Sequence, residues 1–217
     1  MDLKGKRCIV TAGPTYEAID PVRFIGNRSS GKMGVEIAKV LAHKNAKVIL
    51  VLGPTQIRIT NSEHIQIVRV ETADQMYDAV MKYIEEVELG IFAAAVSDYK
   101  PIVVSNQKIK KSEDKIIMEL VKNKDILGDV GLKKKSNQTI VGFALETENE
   151  LENAKSKLKK KNLDMIILNS LQDKGAGFQV KTNKISIWDK YNNLVQYELK
   201  SKQEVAEDIV DYIQENF

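Results

Sequence analysis

The chain has 217 residues, 43% of them hydrophobic and 29% charged, with a formal net charge of +3. That length can bury a full core as one domain, 1–217, and the composition is that of a globular protein rather than a disordered chain. So small a charge carries no argument for nucleic-acid binding, a single cysteine excludes an internal disulfide, and two histidines beside it disfavour a structural zinc site. No stretch approaches the ~18 apolar residues of a membrane span. The opening Met1-Asp2-Leu3-Lys4 has no signal-peptide core. A cytoplasmic location is therefore expected, with neither membrane nor nucleic acid as a partner.

Residues 7–12 form a short apolar run that stops at Gly13-Pro14, and Cys8 within it reads as inert core. A long polar loop leads to a helix over about 30–46. Residues 47–52 are near-continuously apolar, as expected of a strand covered on both faces, and Gly53-Pro54 ends them. Residues 65–70 read as a further strand. Thr72 with Gln75 is a capping box that opens a helix to about Val87. Residues 91–96 are the most apolar strand and end in Ser97-Asp98-Tyr99.

The spacing then predicts a strand over 116–120, a short helix from Asp125, a strand over 139–143, a helix over 150–160 and a strand over 165–168. Residues 184–188 and 195–199 flank a hairpin turn at 190–193. Ser201 with Glu204 caps the last helix, whose Val205, Ile209, Tyr212 and Ile213 keep helical spacing. Repeated strand–helix alternation predicts a single α/β domain of three-layer αβα, Rossmann-like type. Its sheet is mostly parallel with helices on both faces, and antiparallel pairs are added near the 108–120 arm and at the C-terminal hairpin. Ligands in such sheets bind beyond the C-terminal strand ends, at a topological switch point.

The segment 20–34 is the richest in chemistry. It sets three glycines, two arginines, a lysine and an asparagine just before a helix, whose unpaired amides favour anions. Gly26-Asn27-Arg28-Ser29-Ser30-Gly31-Lys32 matches most of a P-loop, but Met33 stands where Ser or Thr must reach Mg²⁺, and no strand leads directly into it. The three glycines also lack dinucleotide-fingerprint spacing. A flexible approach to a helix explains the glycines, but not the charged residues and Asn27 among them.

Strand ends supply the remaining candidates. Phe92, Ala93, Ala94 and Ala95 either let a flat ligand approach the backbone or simply allow close helix packing. Asp98 follows a buried strand with no helix to cap, which suits a ligand or metal contact. Lys108, Lys110 and Lys111 are either a charged edge guarding against strand pairing or a mobile basic arm for a polyphosphate. Phe143 ends another strand, and Lys157 and Lys161 share a helix face. Asn169 and the corner at Gly175 to Phe178 carry weaker signals. No Ser-His-Asp or Cys-His nucleophile set can be assembled, so the site points to positioning and charge stabilisation.

Taken in order, Thr11-Ala12-Gly13-Pro14-Thr15, the segment 20–34, Ala94-Ala95-Val96-Ser97-Asp98-Tyr99, Lys108-Ile109-Lys110-Lys111, residues 121–126, 141–147 and Gly177-Phe178 resemble the phosphopantothenate–cysteine ligase family of coenzyme A biosynthesis. The resemblance implies a reaction in two steps. The carboxylate of 4′-phosphopantothenate displaces pyrophosphate from a nucleoside triphosphate, CTP ahead of ATP, and the amine of L-cysteine then displaces the nucleoside monophosphate.

It further implies Asn27 and Lys108 as catalytic, with Arg23, Asn27 and Ala95 on phosphopantothenate. Phe92, Ala93, Ala94, Asp98, Lys108, Lys124, Asp125, Ile126, Leu127, Phe143, Lys157 and Lys161 are implied for the nucleotide. Mg²⁺ is the implied cofactor, its ligands unassigned, and a homodimer the implied assembly. Because the first strand starts so near Met1, the resemblance points to a stand-alone synthetase without flavin. Tyr16, Lys124 and Leu145 depart from the family pattern, where arginine, proline and alanine are common. A nucleotide kinase with a degenerate P-loop and a non-catalytic nucleotide-binding module are the competing readings.

Overall fold

The computed structural model describes residues 1–111, 115–146, 150–170, 177 and 180–217. In chain order the first half runs β1 (Arg7–Ala12), β2 (Tyr16–Ala18), β3 (Phe24–Gly26), α1 (Lys32–His43), β4 (Lys47–Leu52) and β5 (Ile65–Arg69). Then come α2 (Ala73–Tyr83), β6 (Leu89–Phe92), β7 (Tyr99–Pro101), β8 (Leu120–Lys122) and α3 (Ile126–Lys133). The remainder is β9 (Thr139–Glu146), α4 (Glu150–Lys160), β10 (Met165–Ser170) and β11 (Thr182–Asn183). It closes with β12 (Ile185–Asp189), β13 (Leu194–Gln196), β14 (Lys200–Ser201) and α5 (Lys202–Asn216).

One eight-stranded sheet runs in the order β13-β12-β10-β9-β6-β1-β4-β5. The strands from β10 to β5 pair in parallel, whereas β12 and β13 add antiparallel pairs at one edge. Strand alternation sends successive side chains to two separate cores. Cys8, Val10, Leu50 and Ile91 pack beneath α1 and α5, against Val35, Leu41, Val205 and Ile209. Ile9, Ile49, Val51 and Ile166 face Met76 and Val80 of α2, Ile126 and Val130 of α3, and Leu158 of α4. This is the expected αβα sandwich. Both expected capping boxes form, at Thr72 with Gln75 and at Ser201 with Glu204.

Two expected strands differ. The strand over 116–120 is displaced to Leu120–Lys122, which pairs antiparallel with β7 outside the main sheet. Ile116 and Ile117 are 59% and 97% exposed, so apolar character there has no core to serve within one chain. Strand β6 stops at Phe92 rather than Val96, because residues 93–96 leave the ladder to follow the loop after β1. Strands β1 and β6 are neighbours, and β2 and β3 intervene before α1, which is not the direct strand–loop–helix path of a P-loop.

Helix α1 is set unusually close to the end of β1. A Cβ at Gly34 would lie 2.6 Å from the Ala12 Cβ and 3.0 Å from the Thr11 carbonyl oxygen. Its cap residue Gly31 has φ +79°, and a side chain there would meet the Gly13 backbone. Gly34→Ala is therefore expected to cost about 1–3 kcal/mol of stability in chemical denaturation, the usual range for overpacking. An unchanged denaturation midpoint would show that the contact is slack.

Candidate active site

Past the C-terminal ends of β1 and β6 the two loops stay laced together. The Ala93 amide donates to the Thr11 carbonyl (3.2 Å) and the Ala95 amide to the Gly13 carbonyl (2.9 Å). The Ser97 amide donates to Oγ1 of the buried Thr15 (2.9 Å). Asn27 joins the same strip: its Nδ2 donates to the carbonyls of Ala95 (2.9 Å) and Val96 (3.3 Å). The glycine-rich segment is thus pinned beside residues 93–98, although the two lie far apart in sequence.

Two adjoining cavities open on this strip. The first, of about 520 Å³, takes Phe92, Ala94 and Asp98 from the β6 side. The start of α3 and the two residues before it contribute Lys124, Asp125, Ile126 and Leu127, while β9 contributes Phe143, α4 Lys157 and the residue after α4 Lys161. The second, of about 310 Å³, is lined by Asn27, Ala93, Ala95 and the opening of α1. Ala94, Val96, Phe143 and Lys157 belong to both, so the cavities meet at these residues.

The first cavity mixes charges that are held loosely. Asp125 caps α3 by accepting from the Gly128 amide (3.0 Å), and Lys161 Nζ lies 2.8 Å from the same carboxylate. Burial would raise the Asp125 carboxyl, but Lys161, the Gly128 amide and Lys157 together outweigh it and lower its pKa. Both partners are partly exposed, so the pair contributes only ~0–1 kcal/mol and is readily traded for a phosphate. Lys157 Nζ donates to the Phe143 carbonyl at 2.8 Å, which holds the amine at the boundary between the cavities. Asn123 donates Nδ2 to the Ser97 carbonyl (2.8 Å), while its buried Oδ1 has no partner among the described residues.

The departures from the family pattern have visible settings. Tyr16 stacks on Phe24 with centroids 3.8 Å apart. Lys124 sits 4.5 Å over the Tyr77 ring and 3.7 Å from Asp78, and Leu145 lines the second cavity.

Arg23 and Lys108 stand apart from the other candidates, for they line neither cavity. Arg23 pairs with the buried Asp20, its Nε 2.9 Å from Oδ2, and donates NH2 to the Ile109 carbonyl (2.8 Å). The Ile109 amide returns a bond to Asp20 Oδ2 (3.1 Å), so the exposed Lys108 rides on an arm tied to the Asp20–Arg23 turn. The Arg23 guanidinium first, and the Val22, Ile109 and Arg23 amides with it, hold Asp20 well below the usual carboxylate range despite its desolvation. Thr147 and the Gly175 to Phe178 corner, Gly177 apart, lie outside the described residues.

Asn183 and Lys202 in the second cavity were not singled out from sequence, whereas Lys32, within the 20–34 segment, and Lys122 and Asn123, within the 121–126 run, were noted there without a site role. Lys202 did leave a trace. It is a lysine at the first position of a capped helix, where the helix dipole disfavours a cation. Asn183 carries no comparable mark.

A family model described as the DNA/pantothenate metabolism flavoprotein C-terminal domain matches residues 3–217. A cysteine/cysteine sulfinic acid decarboxylase of an unknown prokaryotic organism is 50% identical over 208 residues, covering 96% of this chain and 58% of that protein. The coenzyme A biosynthesis bifunctional protein CoaBC of Haemophilus influenzae is 43% identical over 216 residues, covering 100% of this chain and 53% of that protein. The chain thus spans little more than half the length of these curated relatives. A crystal structure of the C-terminal domain of a CoaBC protein superimposes with a TM-score of 0.81 at 40% identity, covering 98% of this chain and 95% of that one.

The tether of the Lys108 arm is testable by itself. Asp20→Asn is expected to speed hydrogen exchange at the Ile109 amide by about tenfold, as for loss of a charge-assisted bond. In the unmutated chain the tether is complete above pH ~4 and weakens as pH falls from there through the depressed Asp20 value, because protonation removes the acceptor charge. Equal exchange in mutant and parent would contradict this role.

Proposed function

Because this chain belongs to the DNA/pantothenate metabolism flavoprotein C-terminal domain family, we propose that it is a phosphopantothenate–cysteine ligase. The carboxylate of 4′-phosphopantothenate attacks the α-phosphorus of a nucleoside triphosphate, forming an acyl-nucleotide and releasing pyrophosphate. The amine of L-cysteine then attacks the acyl carbon, and the nucleoside monophosphate leaves. The observation that carries this reading is the pair of cavities meeting at Phe143 and Lys157, which suits two substrates that must exchange an atom at a shared boundary.

The first cavity is proposed for the nucleotide. Its α3 opening presents backbone amides beside Lys124 to Leu127, Asp98 is proposed to receive a sugar hydroxyl or a hydrated cation, and Lys157 and Lys161 are proposed to offset phosphate charge. CTP is proposed ahead of ATP. Among the described residues no three His, Cys, Asp or Glu side chains cluster as metal ligands. Mg²⁺ is accordingly proposed to ride on the triphosphate, with Asp98 and Asp125 the available carboxylates, and to neutralise charge there. Asn27, at the rim of the second cavity, is proposed to hold the reacting acyl group, with Ala95 beside it.

Arg23 and Lys108 are proposed to serve a partner's cavity in a homodimer. Support comes from the exposed apolar surface around them, where Val22 is 60% and Val103 79% exposed, together with the uncovered Ile117. No helix among the described residues is long and apolar enough to cross a membrane, and the cytoplasm is the proposed location.

With phosphopantothenate, CTP and Mg²⁺ but no cysteine, the protein should release pyrophosphate, and cysteine should then yield nucleoside monophosphate. Asn27→Asp should still release pyrophosphate while the acyl-nucleotide accumulates, and normal amide formation would refute its role. A nucleoside diphosphate product would favour a kinase, and absence of turnover a binding module. Mixing Asn27→Asp with Lys108→Gln protein should restore about a quarter of the sites, since only exchanged arms leave one intact site per mixed dimer. No restoration would place Lys108 at its own chain's cavity.

A further inference from the structure

We propose that Glu17 is a positioning residue for the amide-forming step. Its buried carboxylate docks the β2–β3 hairpin on the first turn of α2 and so sets where Asn27 stands. The assignment rests on the ligase reading and on the role proposed there for Asn27.

Strands β2 and β3 have three residues each and form a two-stranded sheet separate from the main one. So short a ribbon is marginal by itself and takes its place from whatever it packs against. Asn27 follows β3 directly, and in the hairpin register Glu17 lies opposite Ile25 and Tyr16 opposite Gly26. A shift of the hairpin at Glu17 therefore reaches Asn27 within two residues. The Asn27 amide holds the carbonyls of Ala95 and Val96 at 2.9 and 3.3 Å. A displacement of about 1 Å would break both bonds.

Glu17 supplies the dock. It is 2% exposed, whereas Tyr16 is half-buried and Ala18 exposed, so this short strand turns its charged residue inward. A glutamate is almost never fully buried unless it is paired. The partner is the Ala73 amide, which donates to Glu17 Oε1 at 2.9 Å. Ala73 is the first residue of α2, so its amide has no acceptor within the helix, and the positive end of the helix dipole favours a carboxylate there. The Thr72–Gln75 capping box serves the Gln75, Thr72 and Glu71 amides and leaves the Ala73 amide to Glu17. Beside this bond the Tyr16 amide donates to the Glu71 carbonyl at 2.8 Å, so strand β2 is held to the entry of α2 by backbone and side chain together.

The test measures two half-reactions separately, pyrophosphate release without cysteine and amide formation from the acyl-nucleotide. Glu17→Met keeps the length of the side chain and removes its acceptor. Amide formation should fall about 10- to 100-fold, as for a small misplacement of a group at the reacting centre, while pyrophosphate release stays within about threefold. Glu17→Gln keeps an acceptor oxygen and should recover most of the lost amide formation. In an Asn27→Asp background Glu17→Met should slow the residual amide formation by less than about twofold, because the two residues act as one unit. Ala73→Pro removes the donor at the first helical position, where proline is accommodated, and gives the same test should Glu17→Met fail to fold. Equal losses in the two half-reactions, additive losses in the double variant, or a Glu17→Gln protein as slow as Glu17→Met would overturn the assignment while leaving the ligase reading intact. Absence of pyrophosphate release from the unmutated protein would instead refute the ligase reading, and this role of Glu17 with it.

Discussion

Strands β1 and β6 lie side by side, yet the helices that follow them pack on opposite faces of the sheet. The chain must part above this pair, and the parting is where both cavities form. What keeps the crevice from becoming loose loop is the lacing of residues 93–97 to residues 11–15, with Asn27 tied to the same strip. Helix α1 can approach that strip because Gly34 leaves no Cβ to strike Ala12. Site geometry therefore depends on backbone contacts at the switch point more than on any individual side-chain bond.

Electrostatics divide the crevice in two. The first cavity sets Asp98 and Asp125 among Lys122, Lys124, Lys157 and Lys161, a mixture suited to a polyanion accompanied by a cation. The second carries Lys32, Lys157 and Lys202, with no carboxylate among the described residues that line it. Lys157 stands at the boundary and is shared, where the proposed attack of a carboxylate on an α-phosphate would build up negative charge. Burial makes the second cavity the more demanding of the two, since Lys202 has little water to fall back on.

The sequence was legible where structure is local. Apolar runs such as 47–52 became central strands, and the two capping boxes formed because each needs only four consecutive residues. Ten of the twelve residues implied for the nucleotide, namely Phe92, Ala94, Asp98, Lys124, Asp125, Ile126, Leu127, Phe143, Lys157 and Lys161, line the first cavity. Ala93 lines the second, and Lys108 lines neither. Legibility failed where position depends on distant pairing. Asn183 and Lys202 reach the cavity only through the short β11–β14 pair, and the 116–120 segment is apolar without a core to enter. The Lys108 arm was visible as a charge run, but its attachment to Asp20 and Arg23 spans more than eighty residues and follows no local pattern.

The central claim is that a carboxylate is activated at the cavity boundary by becoming part of an acyl-nucleotide. Labelling the phosphopantothenate carboxylate with oxygen-18 and following one turnover with CTP and cysteine by mass spectrometry tests it directly. The carboxylate oxygen that attacks phosphorus should leave with the nucleotide, so one labelled oxygen should appear in the cytidine monophosphate and one should remain in the amide. Label in inorganic phosphate with cytidine diphosphate as co-product, or none in either nucleotide, would contradict the account.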